Sequence, residues 1–295
     1  IHSAFNVIAT VVLLPFGDVL VKMACATIRD TKEEKAISEE DQEFMILESR
    51  FLSNPGIAIE QSKTAAKKMA EQSQNALKLS FGLLDSFQEE NAFRVEKIEA
   101  KVDRYEDELG TYLIKLNQKE LSVEDSHSLS IMLHCIGDFE RISDHALSIM
   151  KSAKEMWEKN AVFSPQAVKE LHVMEKAVVD IVDKAYAVFA NQDIQLAEEI
   201  EPLEEVIDEL SRELKRRHVN RLRAGECTIE MGFILSDVTT SLERIADHCS
   251  NIGVCVTQVR EDLYDTHSHL DSVKNAPGEL FHHELEAARV NYMLP

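Results

Sequence analysis

The sequence predicts an all-α protein that is built from two tandem, antiparallel three-helix bundles. Its 295 residues include only 9 glycines and 6 prolines, a composition that favours long helices. Apolar residues recur at alternating intervals of three and four over long stretches, which is the pattern of helices that pack at shallow angles. A short motif, Glu-Arg-Ile-x-Asp-His, occurs at 140–145 and again at 243–248, and it indicates an internal duplication.

Each predicted repeat begins at a helix-start signal. In Asn54-Pro55 and in Ser164-Pro165 a capping side chain precedes a proline that suits the first helical turn. We therefore place the repeats at 54–158 and 164–262, each with the duplicated motif on its long third helix. The second helices are predicted from apolar seams at Val95, Ile98, Val102, Tyr105, Leu109, Tyr112 and Leu116, and at Leu196, Ile200, Leu203, Ile207, Leu210 and Leu214.

The N-terminal residues 1–28 are interpreted as the end of a transmembrane region. Their mostly apolar run is long enough to cross a hydrocarbon core, and Pro15 and Asp18 are acceptable in a helix packed within a larger membrane bundle. Because the chain begins with Ile1, we expect it to be a piece of a longer protein. A signal peptide ending near 24–26 and a buried helix of a non-membrane domain are the alternatives.

Two further segments complete the predicted organisation. Residues 29–53 are rich in charged side chains and are predicted to form a solvated linker. Residues 263–295 are treated as a C-terminal tail.

Charge and cysteine usage narrow the class of protein. The formal net charge of −21 argues against a nucleic-acid partner, because a phosphate backbone requires a basic surface. The five cysteines form no Cys-x-x-Cys pair. We expect a reduced, intracellular protein with neither a disulfide framework nor a cysteine-based zinc site.

Four pairs of acidic residues are the candidate metal ligands. Members of a pair are one helical turn apart, so both carboxylates project from the same face. Each pair flanks an apolar seam and keeps the same phase in both repeats, so two pairs could face each other within each bundle. The pairs are Glu99 and Asp103, Glu140 and Asp144, Glu204 and Asp208, and Glu243 and Asp247.

Converging carboxylates repel one another, and a cation that favours oxygen ligands relieves this repulsion. Magnesium, manganese, calcium or iron would suit such a site, and zinc can also be bound by Asp and Glu. His145 and His248 adjoin the aspartates and could join or tune the site. Arg141 and Arg244 are expected to pair with acids on the adjacent helix. The alternative is that these acidic pairs are solvated and bind no metal.

One basic run, 215–218 with Arg221 and Arg223, stands out in the acidic chain. At the end of a helix it would complement the helix dipole, and the alternative is contact with anionic headgroups or phosphate. No phosphate-binding glycine loop or nucleophile motif is present, so we do not expect an enzyme.

The duplicated acidic motifs resemble those of the PhoU family. The residues that carry the resemblance are Glu99–Asp103, Glu140–Ala146, Glu204–Asp208 and Glu243–Ile252, with Ser143 and Ala246 where the family usually has glycine. The resemblance covers about 54–262. It implies two three-helix repeats that bind multinuclear clusters of iron, zinc, manganese or magnesium.

The N-terminal residues resemble a second family, the bacterial type II sodium-dependent phosphate cotransporters. His2, Phe5-Asn6, Leu14-Pro15-Phe16 and the stretch from Leu47 to Ala58 carry this resemblance. It implies a PhoU-like domain that follows the last membrane helix, an inner-membrane protein whose residues after about 29 are cytoplasmic, and phosphate and sodium as partners through an upstream membrane domain.

Together the two resemblances imply a metal-binding regulatory domain that modulates sodium-dependent phosphate transport. A second copy of the chain is left open as a further partner. The alternatives are a soluble PhoU-type phosphate-signalling adaptor that docks on a separate transporter, and a metal-free helical scaffold. A metal-dependent phosphohydrolase is the least favoured hypothesis.

Overall fold

A computed structural model describes residues 44–260 and 279–295. All regular secondary structure within these ranges is helical, which confirms the predicted all-α class. Two short 3-10 helices, Met45–Leu47 and Ser49–Ser53, precede the long helices. The predicted transmembrane segment 1–28 and most of the predicted linker 29–53 lie outside the described residues.

The first three long helices are α1 (Pro55–Asp85), α2 (Glu89–Leu116) and α3 (Val123–Glu158). Pro55 occupies the first turn of α1, where a missing N–H is tolerated. The hydroxyl of Ser122 caps α3 by accepting a hydrogen bond from the backbone N–H of Asp125 at 3.1 Å. The predicted seam of α2 faces the core, where Val102 and Leu109 are completely buried.

Four helices follow: α4 (Pro165–Asn191), the short α5 (Ile194–Ala197), α6 (Ile200–Arg223) and α7 (Ile229–Arg260). The seam predicted as one helix from Leu196 is divided here between α5 and α6. Pro202 lies in the first turn of α6 and has no N–H to continue an earlier helical ladder, so a new helix starts at Ile200.

Helices α3 and α7 carry the two copies of the duplicated motif and pack against each other. Three contacts fix an antiparallel register. Arg260 Nη1 lies 2.8 Å from Glu124 Oε1, His248 Nδ1 lies 2.9 Å from Asp138 Oδ1, and Lys159 Nζ donates to Glu230 Oε1 at 2.6 Å. Since α3 has 36 residues and α7 has 32, the two helices are ~54 Å and ~48 Å long.

The last described helix, α8 (Glu279–Asn291), packs on α6. Arg289 bonds both carboxylate oxygens of Glu209, at 2.5 and 3.0 Å, and the hydroxyl of Tyr292 donates to Asp180 at 2.6 Å. Part of the predicted tail is therefore an ordered helix in contact with the second repeat. The first part of the predicted tail, residues 263–278, lies outside the described residues.

The predicted inner-membrane localisation is wrong. Over 44–260 and 279–295 no helix combines the length and the apolarity that crossing a bilayer requires. The long helices are amphipathic: each buries one face and keeps charged side chains on the other, and charges at that density are not tolerated in a hydrocarbon core.

Candidate metal centre

The second repeat brings three of the predicted acidic ligands together. Glu204 and Asp208 lie one turn apart on α6, and Asp247 faces them from α7. One carboxylate oxygen from each of the three lies within 4.8 Å of the other two. We call this group, with Glu243, the C-terminal acidic site.

The surroundings of Asp208 fit a cation. Burial, followed by the charges of Glu243 and Asp247, raises the pKa of the Asp208 carboxyl. Its Oδ1 atom is buried and accepts no hydrogen bond. A buried acceptor left without a partner costs about 1–3 kcal/mol, and a hard cation would relieve both this cost and the repulsion.

The fourth predicted ligand of this site, Glu243, already has partners within the protein. Its Oε2 atom accepts a hydrogen bond from Ser211 Oγ at 2.9 Å and another from Lys215 Nζ at 3.3 Å. These partners on α6 were not identified from the sequence. The helical spacing could have revealed them, because Ser211 and Lys215 lie on the two turns that follow Asp208 and share its face of α6.

The first repeat holds its four acids less closely. Glu99 and Asp103 lie on α2, and Glu140 and Asp144 lie on α3; we call them the N-terminal acidic site. Burial, then the charge of Asp144, raises the pKa of Glu99. Asp103 is exposed. Within the described part of the chain, only the C-terminal site brings three such groups within 4.8 Å of one another.

Glu140 is the most perturbed carboxylate of the N-terminal site. Burial raises its pKa to about 7, with a further contribution from Asp144 and opposition from Arg141. Near neutral pH, a large fraction of this side chain therefore holds a proton when no cation is bound.

The two motif arginines pair within their own helices. Arg141 Nη1 lies 3.4 Å from Asp144 Oδ2, and Arg244 Nη1 lies 3.0 Å from Asp247 Oδ2. Both pairs are half-exposed, so they are weak. Each arginine would compete with a bound cation for the aspartate of its own motif. These contacts lie within one helix, whereas the sequence predicted pairing with acids on the adjacent helix.

The two motif histidines meet each other between the repeats. The ring centroids of His145 and His248 are 5.8 Å apart. Asp138 Oδ1 contacts His248 Nδ1 at 2.9 Å and accepts a hydrogen bond from Asn251 Nδ2 at 3.3 Å. Burial, followed by His248, lowers the pKa of His145. Sequence reasoning missed the role of Asp138, whose counterpart in the second motif is Ser241.

Most residues of the basic run on α6 form ion pairs within the protein. Arg217 and Arg221 both contact Glu170, at 3.0 and 2.7 Å, and Glu170 is buried. Arg216 and Arg217 together lower the pKa of Glu213 to about 2. This run therefore ties α6 to α4 and has an evident structural role.

A cationic groove lies between α1 and α2. It encloses about 590 Å³ and is lined by Gln72, Asn75, Lys78, Leu79, Arg94, Lys97 and Ile98, without a carboxylate. Lys78 Nζ is held by Asp183 at 2.9 Å. Arg94 donates to the amide oxygen of Asn91 at 3.3 Å, and the Lys97 ammonium lies 5.0 Å from the centroid of the Phe93 ring. The groove concentrates donors in a chain that is otherwise acidic.

Comparison with known proteins identifies relatives with the same repeat. A model of the PhoU domain family matches residues 66–153 and 171–256. A PhoU homologue of the phosphate-specific transport system in Thermotoga maritima is 30% identical over 115 residues, which are 39% of this chain and 49% of that protein. The matched part thus spans about half the length of this relative. A PhoU homologue of Deinococcus radiodurans is 22% identical over 160 residues, which are 54% of this chain and 74% of that protein.

Solved structures share the fold. The PhoU crystal structure from Pseudomonas aeruginosa has a TM-score of 0.59 at 21% identity and matches over 72% of this chain and 98% of its own. The phosphate transport system regulatory protein PhoU from Streptococcus pneumoniae has a TM-score of 0.64 at 17% identity, over 72% of this chain and 100% of its own. Two consecutive segments that together cover more than half of the sequence match the family, and the chain therefore belongs to the PhoU domain family.

Proposed function

We propose that this chain is a non-enzymatic accessory component that regulates a phosphate transport system, and that its acidic sites bind metal cations. The observation that carries the proposal is the convergence of Glu204, Asp208 and Asp247 around one buried, unpartnered oxygen of Asp208. The printed names of the relatives, which are PhoU accessory proteins of phosphate-specific transport, support the biological setting.

The three converging groups of the C-terminal acidic site offer only carboxylate oxygens as ligands. Such ligands favour hard cations such as magnesium, manganese or ferric iron, and zinc is also compatible. Glu204, Asp208 and Asp247 would hold the cation, and Glu243 would join if it exchanged its bonds to Ser211 and Lys215. A bound cation would supply positive charge and exchangeable coordination positions that attract phosphate. The residues themselves come from α6 and α7, so occupancy would strengthen the contact between these helices.

Phosphate has a second place to bind. The cationic groove between α1 and α2 offers Arg94 and Lys97 as donors to an anion without any metal. The two possibilities differ in one measurable respect, because only binding at an acidic site requires the cation.

We favour an adaptor that docks on a separate transport system over a domain of a sodium-coupled cotransporter. The segments matched by the family lie within 66–256. The cotransporter interpretation has support only from the resemblance of the N-terminal residues, most of which precede the described part of the chain. A metal-free scaffold is the remaining alternative, and it is tested directly below.

The test of metal binding is elemental analysis of the full chain, purified without chelator, beside an Asp208→Asn/Asp247→Asn variant. Asp237→Asn is the matched control, since it removes an exposed aspartate from the same helix as Asp247. We expect metal in the parent and in the control and its loss from the C-terminal site in the variant. Equal metal content in all three, or none after reconstitution with manganese or iron, would refute the proposed metal centre.

Titration calorimetry with inorganic phosphate then distinguishes binding at the acidic sites from binding in the cationic groove. Binding that appears only after metal loading would assign phosphate to the acidic sites. Binding to chelator-treated protein that disappears in Arg94→Ala/Lys97→Ala would assign it to the groove. If neither form binds phosphate at millimolar concentration, the cation is structural and direct phosphate sensing by this chain is excluded.

A further inference from the structure

Two free thiols face each other between α3 and α7. Cys135 on α3 is completely buried, and Cys255 on α7 is partly exposed. Both helices also carry a copy of the duplicated motif, so this pair lies between the two repeats.

The register of the helices brings the two cysteines to the same level. Asp138 on α3 accepts a hydrogen bond from Asn251 on α7 at 3.3 Å. Cys135 precedes Asp138 by one turn, and Cys255 follows Asn251 by one turn. Because the helices are antiparallel, these two steps lead in the same direction along the interface.

The register therefore places the two thiols beside each other. The neighbouring Cys255 side chain, followed by burial, holds the pKa of the Cys135 thiol well above its usual value. Cys135 therefore remains protonated and shielded. Cys255 is the member of the pair that a small oxidant in solvent can reach.

We propose that Cys135 and Cys255 form an oxidisable dithiol that closes to a disulfide between α3 and α7 when the protein meets a hydroperoxide. The Cys255 thiolate attacks one peroxide oxygen, the O–O bond breaks, and Cys255 becomes a sulfenic acid while the other oxygen leaves as water or an alcohol. The Cys135 sulfur then attacks the Cys255 sulfur, and the S–O bond breaks. The sulfenic hydroxyl leaves with the Cys135 proton as a second water.

The disulfide would join the two motif helices one turn from the contact between Asp138 and His248. It would restrict sliding of α3 against α7 and hold the acidic sites of the two repeats in a fixed relation. In the reduced protein the same interface rests on side-chain packing and hydrogen bonds. The bond is thus a modification of the folded protein and no part of a folding framework.

The test treats the reduced full chain with hydrogen peroxide and maps disulfides by mass spectrometry of alkylated, unreduced peptides. We expect a Cys135–Cys255 linkage within one chain, reversed by dithiothreitol, and a rise in Tm of about 5 °C or more on oxidation. Cys227→Ser is the matched control, because it removes another partly exposed thiol and should leave the linkage intact. Cys255→Ser should abolish both the linkage and the Tm shift.

Cys135→Ala supplies a second readout that does not depend on forming the bond. Without its partner, Cys255 should accumulate as a sulfenic acid that dimedone traps, whereas the parent should give little adduct. The proposal is overturned if dimedone labels Cys255 equally in parent and variant, or if peroxide links Cys255 to a different cysteine or to a second chain.

Discussion

The two acidic sites present equivalent carboxylates from equivalent helices, yet their third-helix glutamates have opposite surroundings. Glu243 accepts hydrogen bonds from Ser211 and Lys215. Burial, followed by the charge of Asp144, raises the pKa of Glu140 to about 7, and the charge of Glu106 adds to this increase. One glutamate is therefore paired with hydrogen-bond donors, and the other competes for a proton.

The second helix of each repeat explains this difference. When Glu99 is aligned with Glu204, Glu106 falls at the position of Ser211 and Gly110 falls at the position of Lys215. The two repeats thus share the acidic residues and differ in the residues that surround them. We infer that the N-terminal site must release a proton from Glu140 before it binds a cation near neutral pH.

The largest expected effect comes from removing one aspartate from each site. Asp208→Asn should weaken manganese binding at the C-terminal site by more than about 100-fold, because a charged ligand at the centre of the group is lost. Asp103→Asn should weaken binding at the N-terminal site by about 10-fold or less, since Asp103 is exposed. Titration calorimetry on chelator-treated protein measures both, and equal losses would mean that the two sites are equivalent.

The next largest effect is on the pH dependence of the free energy of unfolding, which we expect to arise from Glu140 in the N-terminal site. The pKa of Glu140 is about 7 in the folded protein, above the ordinary value of 4.5. Its contribution to stability is therefore complete below the lower value and is lost as the pH rises through the higher one. Between pH 5 and pH 8 the metal-free parent should lose about 1–2 kcal/mol more than Glu140→Gln, after allowance for solvent screening.

Urea unfolding at the two pH values measures this difference, and the variant corrects for the general repulsion of an acidic chain. Glu243→Gln serves as the comparison. It should lose the ion pair with Lys215 and be destabilised at both pH values alike. Identical pH dependence in the parent and in Glu140→Gln would show that protonation of Glu140 does not contribute to the stability of the protein between pH 5 and pH 8.

The fold and the placement of the acidic pairs on matching helices could be predicted from the sequence because both depend on repeating patterns. Apolar spacing fixes which face of α2 is buried, and the duplicated motif places Asp144 and Asp247 at matching points. The surroundings of each site depend on residues that do not repeat. Asp138 in the first repeat is equivalent to Ser241 in the second, and Glu106 is equivalent to Ser211. The apolar periodicity does not reveal which side chain such a position will contact across a helix pair.

A smaller effect is expected when the α6 residues that contact Glu243 are introduced at the equivalent positions of α2. In Glu106→Ser/Gly110→Lys, a donor pair replaces an acid and a glycine, and the pKa of Glu140 should fall toward its ordinary value. A Cβ at Gly110 would lie 3.6 Å from Ile136 Cδ1, an ordinary contact, so the lysine can be accommodated.

The graft should reduce the loss of stability between pH 5 and pH 8 by about 1 kcal/mol relative to the parent. Urea unfolding of the chelator-treated protein measures it. The reciprocal change, Ser211→Glu/Lys215→Ala, should introduce a similar pH dependence through Glu243. A graft that leaves the dependence of the parent unchanged would show that burial and Asp144, without the α2 neighbours, set the pKa of Glu140.

The smallest expected effects belong to the motif arginines. Arg141 and Arg244 are about 60% exposed, at 61% and 60%, so Arg141→Ala and Arg244→Ala should each change stability by no more than about 0.5 kcal/mol. Because each arginine pairs with the aspartate of its own motif, its removal frees a metal ligand. Manganese affinity should therefore rise by roughly two- to threefold, and more for Arg244, whose contact is the shorter. Calorimetry of the two variants beside the parent measures this, and a loss of affinity would instead assign the arginines to holding the aspartates in place.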